Sequence, residues 1–188
     1  KTVLKILTWQ DGDHTGANTR WVLKCPQHLE QLGVLHKVFP DATVAITHRD
    51  PVSVSQSAVT MLAYGQRINR KRVDLDGLLN YWTDRILHLL QACVSDRAIL
   101  PAAQSIDVPF HEFMADDLGM VERIYSRANL PMTTIARTRL QTYIDAHPRG
   151  KEGSVRYNLR HDFGVEPAQL REYFAFYFER FPVQVEVA

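Results

Sequence analysis

Apolar residues recur along this chain at two spacings, in short β-rich runs and at every three to four residues in longer stretches, and the order of the two predicts its architecture. Val3, Leu4, Ile6, Leu7 and Trp9 mark a short amphipathic helix over 2–10, and the Asp-, Gly- and Asn-rich stretch 11–18 reads as a loop. Arg20-Trp21-Val22-Leu23-Lys24 fits a short buried strand. Pro26 breaks that run, and 27–39 carries helical spacing through Leu29, Leu32, Leu35 and Val38. After a turn at Pro40-Asp41, residues 43–47 form a second β-rich run. Asp50-Pro51 then opens a helix, with Asp as N-cap and Pro at the first helical position. A long helix over 73–94 follows, then an edge strand over 106–110 interrupted by Pro109, and helices over 118–128, 135–146 and 167–181. Between the last two lies the turn-rich basic loop 148–153.

The order strand, helix, strand, helix predicts a βαβ unit: a parallel sheet flanked by helices, with a helix-rich C-terminal half and one α/β domain over 1–188. Ligands of such folds gather at the carboxyl ends of the strands, where Lys24 and Arg49 both fall. The 188 residues, 45% of them hydrophobic and 23% charged, suffice for one real core. The net charge of +1 excludes the broad basic field of a nucleic-acid binder, so any anion site must be local. Cys25 and Cys93 offer neither a disulfide framework nor metal-ligand spacing and read as free thiols in a reducing cytoplasm. No apolar run is long enough to span a membrane. The histidines show no helical pair that points to zinc, so no metal is expected. Trp21 and Trp82 read as core, and Trp9 stays open as a stacking residue. The basic run Arg67, Arg70, Lys71 and Arg72 reads as a solvated loop or an acceptor-side lid. The aromatic cluster over 174–181 reads as a terminal helix packed on the sheet.

Three groups can carry chemistry. Arg49, at a strand end before a capped helix that aligns Ser53 and Ser57 on one face, suits a phosphate: free backbone N–H groups and the helix dipole favour an anion, and the guanidinium can bind it bidentately. The alternative is that Arg49 pairs with a local carboxylate while the serines merely face solvent. Lys24, followed by Cys25-Pro26-Gln27-His28, sets an ammonium and an imidazole around one turn, able to neutralise a leaving oxygen and to accept a proton. The alternative is a solvated lysine and a surface histidine. Arg149-Gly150-Lys151-Glu152-Gly153, followed by Arg156 and Tyr157, can close over a phosphate or remain a charged loop.

Taken together and in order, these segments resemble the cytosolic-type sulfotransferase superfamily, especially its bacterial branch. The resemblance rests on Trp21 to Leu29, on Val38-Phe39-Pro40-Asp41-Ala42, on Thr47-His48-Arg49-Asp50-Pro51 with Ser57, and on 147–157 running into Asp162-Phe163-Gly164. It implies a P-loop-like α/β fold and in-line transfer of a sulfuryl group from 3′-phosphoadenosine 5′-phosphosulfate to an acceptor hydroxyl or amine, without a metal. Lys24 matches the family's lysine beside the sulfuryl group. Arg49 and Ser57 match its 3′-phosphate pair, and Arg149, Gly150 and Lys151 its late phosphate-binding loop. His28 stands four residues after the lysine rather than two, so its role as base rests on nearness; Gln27 or a residue outside the chain is the alternative. The family's Gly-rich phosphosulfate loop has no counterpart here. We therefore expect 1–188 to be the C-terminal part of a longer sulfotransferase domain, one that alone binds donor weakly and turns over slowly or not at all.

The acceptor class expected is a small molecule or a glycolipid-like compound, with a homo-oligomer as a further expectation. The competing reading is a nucleotide-binding or assembly module of the same fold without catalysis. A nucleotide kinase ranks last, because neither a Walker-type loop nor magnesium-binding carboxylates at strand ends are present.

Overall fold

In the computed structural model, which describes residues 2–10, 20–151, 153, 155 and 157–188, helix α1 (Thr2–Gln10), a 3-10 turn (Pro26–Glu30) and α2 (Leu32–Val38) precede strand β1 (Val44–His48). Helices α3 (Pro51–Asn69) and α4 (Leu75–Asp96) and a 3-10 turn (Arg97–Ile99) lead to β2 (Ser105–Pro109). The remainder is helical: α5 (Phe110–Ala115), α6 (Asp117–Arg127), α7 (Thr134–Ala146), α8 (Leu159–Phe163), α9 (Pro167–Tyr173) and α10 (Ala175–Arg180).

β1 and β2 pair in parallel, with Ile46 opposite Asp107 and His48 opposite Pro109. Parallel neighbours need a crossover rather than a tight turn, and α3 and α4 supply it. Because paired residues share a face, Ile46, His48 and Asp107 lie on one side of the sheet and Ile106 and Val108 on the other. The first side covers the main core, which joins Ile46, Val52, Val59, Leu78, Ile86, Leu90, Phe174 and Tyr177. On the second side Ile106 and Val108 pack on Met120 of α6 in a smaller cluster. The apolar spacing of α4 explains its place in the core: Leu78, Trp82, Ile86 and Leu90 recur every four residues and bury one stripe.

The sheet differs from the expected one in a way that matters for the site. Residues 20–24 form no strand: among the described residues they pair with neither β1 nor β2, and Val22 is 94% exposed. An apolar β-rich run only shows that a segment tolerates a sheet; a strand exists where the backbone finds a ladder partner. The βαβ unit is therefore built from β1, α3, α4 and β2, and Lys24 does not stand at a strand end. Trp21, read as core, is 37% exposed for the same reason, whereas Trp82 packs against the core as expected and Trp9 is exposed. Two expected helices are each broken once: 27–39 at Gln31, and 167–181 at Phe174, whose ring is fully buried between α9 and α10. The expected loop over 11–18 lies outside the described residues.

The two thiols occupy opposite environments. Cys93 is buried in α4, where burial first and the Asp107 charge second push its pKa up to about 11. Cys25 is exposed. A thiol count with a maleimide at neutral pH is therefore expected to give one fast-reacting cysteine in the native protein and two in denaturant.

Candidate anion-binding site at the end of strand β1

The N-terminus of α3 is fixed by Asp50, which is wholly buried. Its Oδ1 accepts the Val52 backbone N–H at 2.8 Å, an N-cap that satisfies one of the helix's free donors, and Pro51 pre-sets the first turn. Its Oδ2 accepts the backbone N–H of Glu186 at 2.8 Å and that of Val187 at 3.3 Å. One carboxylate thus caps α3 and clamps the C-terminal segment across its start.

That clamp sets Glu186 against Arg49. The Arg49 Nε donates to both carboxylate oxygens at 2.9 Å and Nη2 to Oε2 at 2.7 Å. Ser53 Oγ approaches the same Oε2 at 3.4 Å. The guanidinium lies 4.1 Å above the Phe110 ring, a cation–π contact that holds its plane. His48, Arg49, Asp50, Phe110, His111, Met114, Val183, Gln184 and Glu186 line a concavity of about 240 Å³ here. The Arg49 fork and the Ser53 hydroxyl converge on one oxyanion, the Glu186 carboxylate.

Beneath this corner runs a buried polar chain. His48, 1% exposed, bonds through Nδ1 to the Tyr177 hydroxyl at 2.6 Å and through Nε2 to Asp107 at 2.8 Å. A carboxylate can only accept, so the Nε2 proton points at Asp107 and the tyrosine hydroxyl can donate to Nδ1. Arg97 grips Asp107 through Nε at 2.9 Å and Nη2 at 3.0 Å, and reaches Ser105 Oγ at 3.0 Å. Burial raises the Asp107 pKa, but the hydrogen bonds from His48 and Arg97 and the nearby positive charge outweigh it and hold the carboxyl well below its ordinary range. Burial also lifts the Tyr177 phenol far above its ordinary value, so it stays protonated as a donor.

The expected site residues divide into two sets. Ser57 Oγ lies 3.3 Å from the Tyr157 hydroxyl, so the late loop meets the serine face of α3. Arg149 donates to the Met114 carbonyl at 3.1 Å and to Asp117 at 3.2 Å, which sets it beside Met114 at the rim of the Arg49 concavity. Gly150 holds φ +79°, a left-handed turn that glycine adopts freely. Lys151 turns away and donates to the Ala146 carbonyl at 3.0 Å. Lys24 is exposed and bonds to nothing among the described residues. His28 is half-buried in a 3-10 turn that packs on α4. Neither lines the concavity.

Sequence reasoning missed Glu186, Phe110 and the His48–Asp107–Arg97–Tyr177 chain. Asp107 left a local trace as a lone charge inside an apolar strand, and Tyr177 as a member of the aromatic cluster, but neither pointed to the bonds it makes. Arg49 does pair with a carboxylate, but not the local one of the alternative reading: Glu186 lies 137 residues away, and Ser53 and Ser57 both reach partners.

These features define an α/β protein in which an arginine fork and a capped helix meet at the end of a parallel strand. The chain belongs to the sulfotransferase family, whose model matches residues 5–134. It is similar to the sulfotransferase STF9 from Mycobacterium avium, with a TM-score of 0.77 and 25% identity over 89% of this chain and 43% of that one. It is also similar to the sulfotransferase STF1 from Mycobacterium tuberculosis H37Rv, with a TM-score of 0.65 and 27% identity over 84% of this chain and 40% of that one. The chain thus spans less than half the length of these structures. No curated protein matches it. The helix-rich α/β fold with a small parallel sheet is that of these sulfotransferases, and among the described residues no helix is long and apolar enough to cross a membrane.

Proposed function

We propose that this chain supplies the 3′-phosphate site of a cytoplasmic sulfotransferase that moves a sulfuryl group from 3′-phosphoadenosine 5′-phosphosulfate to an acceptor hydroxyl or amine. The observation that carries this reading is the convergence of the Arg49 fork and an α3 hydroxyl on one oxyanion at the end of β1. Arg49 and Ser57 hold the 3′-phosphate, and the Arg149–Gly150 loop closes beside it, with Lys151 adding charge once it leaves the Ala146 carbonyl.

In the transfer, the acceptor atom forms a bond to sulfur as the bond from sulfur to the bridging oxygen breaks. The electron pair stays on the departing 5′-phosphate, and the acceptor proton passes to a base. Lys24 offsets charge on the bridging oxygen and His28 takes the proton. The acceptor is a small molecule or a glycolipid-like compound.

The test is a calorimetric titration of the full-length protein with 3′-phosphoadenosine 5′-phosphate against adenosine 5′-phosphate. A clear preference for the first is expected, and equal binding of the two overturns the reading. A second reading, nucleotide binding without catalysis, draws on the separation of Lys24 and His28 from the Arg49 concavity. Kinetics of Lys24→Ala divides the two: transfer by this site predicts a fall in kcat of about a hundredfold with nucleotide affinity within about twofold. Turnover that ignores the substitution removes Lys24 from the chemistry.

A further inference from the structure

The contact between Arg49 and Glu186 joins residues 137 positions apart and is reinforced from three directions. The carboxylate takes the Nε/Nη2 edge of the guanidinium, Ser53 faces it from α3, and the buried Asp50 pins the backbone of Glu186 and Val187. The flat carboxylate on the fork has the geometry with which a phosphate is bound. Ser53 and Ser57, four residues apart, share one face of α3. An anion that bridges Arg49 and Ser57 must therefore lie along the face whose Ser53 end Glu186 occupies.

We propose that Glu186 is the resident competitor of this site: its carboxylate takes the place of a ligand phosphate on Arg49 and must be displaced when the phosphate binds. This rests on the reading of Arg49 as a phosphate ligand and goes beyond it by assigning the C-terminal segment a part in selectivity. A singly charged group exchanges one carboxylate for another at no gain. A dianionic phosphate gains the second charge and a further hydroxyl contact, so the exchange favours it. Removing the glutamate charge while keeping the clamp raises affinity for an anion that must take Arg49 from it and leaves an anion bound elsewhere unaffected. The clamp uses backbone N–H groups, so it survives a change of side chain.

The test is Glu186→Gln in the full-length protein, titrated with 3′-phosphoadenosine 5′-phosphate and with adenosine 5′-phosphate. Affinity for the 3′-phosphorylated compound is expected to rise about twofold to fivefold, the scale of one partly exposed charge pair. Affinity for adenosine 5′-phosphate stays level. In the Arg49→Ala background the same substitution gives no gain, because the competition is for that guanidinium. Glutamine is close in size, and a thermal melt near that of the parent certifies the fold. Equal affinities in parent and variant, with the 3′-phosphate preference intact, overturn the competitor role alone, as does a weaker variant. Absence of the preference from both proteins overturns the reading of Arg49 itself.

Discussion

Arg49→Ala is expected to weaken binding of 3′-phosphoadenosine 5′-phosphate by about thirtyfold, roughly 2 kcal/mol, while binding of adenosine 5′-phosphate stays within about twofold. The figure is that of a charged, two-point hydrogen bond made partly in the open, since the Arg49 side chain is 41% exposed. Stability changes little, because the ion pair lost with Glu186 is half in solvent and the Asp50 clamp does not pass through the guanidinium. Arg49→Lys is expected to recover only part of the affinity: an ammonium keeps the charge but not the fork, and it stacks less well on Phe110. A calorimetric series across parent, alanine and lysine separates charge from geometry. Equal losses for both nucleotides would show that Arg49 serves the fold rather than the 3′-phosphate.

Asp107→Ala acts on the fold and is expected to cost about 2 kcal/mol, a fall in Tm of about 4–8 °C. It leaves the His48 ring and the Arg97 guanidinium, 0% and 12% exposed, without their shared acceptor. A fully buried pair loses 3–5 kcal/mol on such a cut, but the Asp107 side chain is 37% exposed and water screens part of the interaction. The same group makes stability depend on acid. Its carboxyl is held below its ordinary range, so its contribution is complete above about pH 4 and drains away as pH falls further towards its folded value. Asp107→Asn should therefore lose less stability than the parent between about pH 4 and pH 2. Parallel acid curves would mean that Asp107 is not a charged partner in the folded protein.

The legible parts of this fold were those encoded locally. Asp50-Pro51 announces a capped helix because a cap and a first turn are made by neighbours, and that pair placed Arg49 at the mouth of α3. The run around Ile106 and Val108 announced β2, although the strand ends at Pro109 and Phe110, expected in it, opens α5. What escaped was decided by partners far along the chain. Nothing within residues 20–24 tells whether a ladder partner exists, and here none among the described residues pairs with them. Glu186 sits among valines in a tail whose sequence is silent about Asp50, the residue that positions it. Tyr177 was legible as part of an aromatic cluster, but its hydroxyl bond to His48 depends on where α10 lands beneath β1.

The clamp also orders events during synthesis. Asp50 and Arg49 leave the ribosome long before Glu186, 136 and 137 residues later, so until then the Arg49 guanidinium lacks this carboxylate and Asp50 lacks two of its three backbone partners. Closing so long a loop costs little more than closing one half as long, since the entropy grows only logarithmically. The delay is one of timing rather than of energy: Glu186 and Val187 complete a corner whose other members were made about 136 residues earlier.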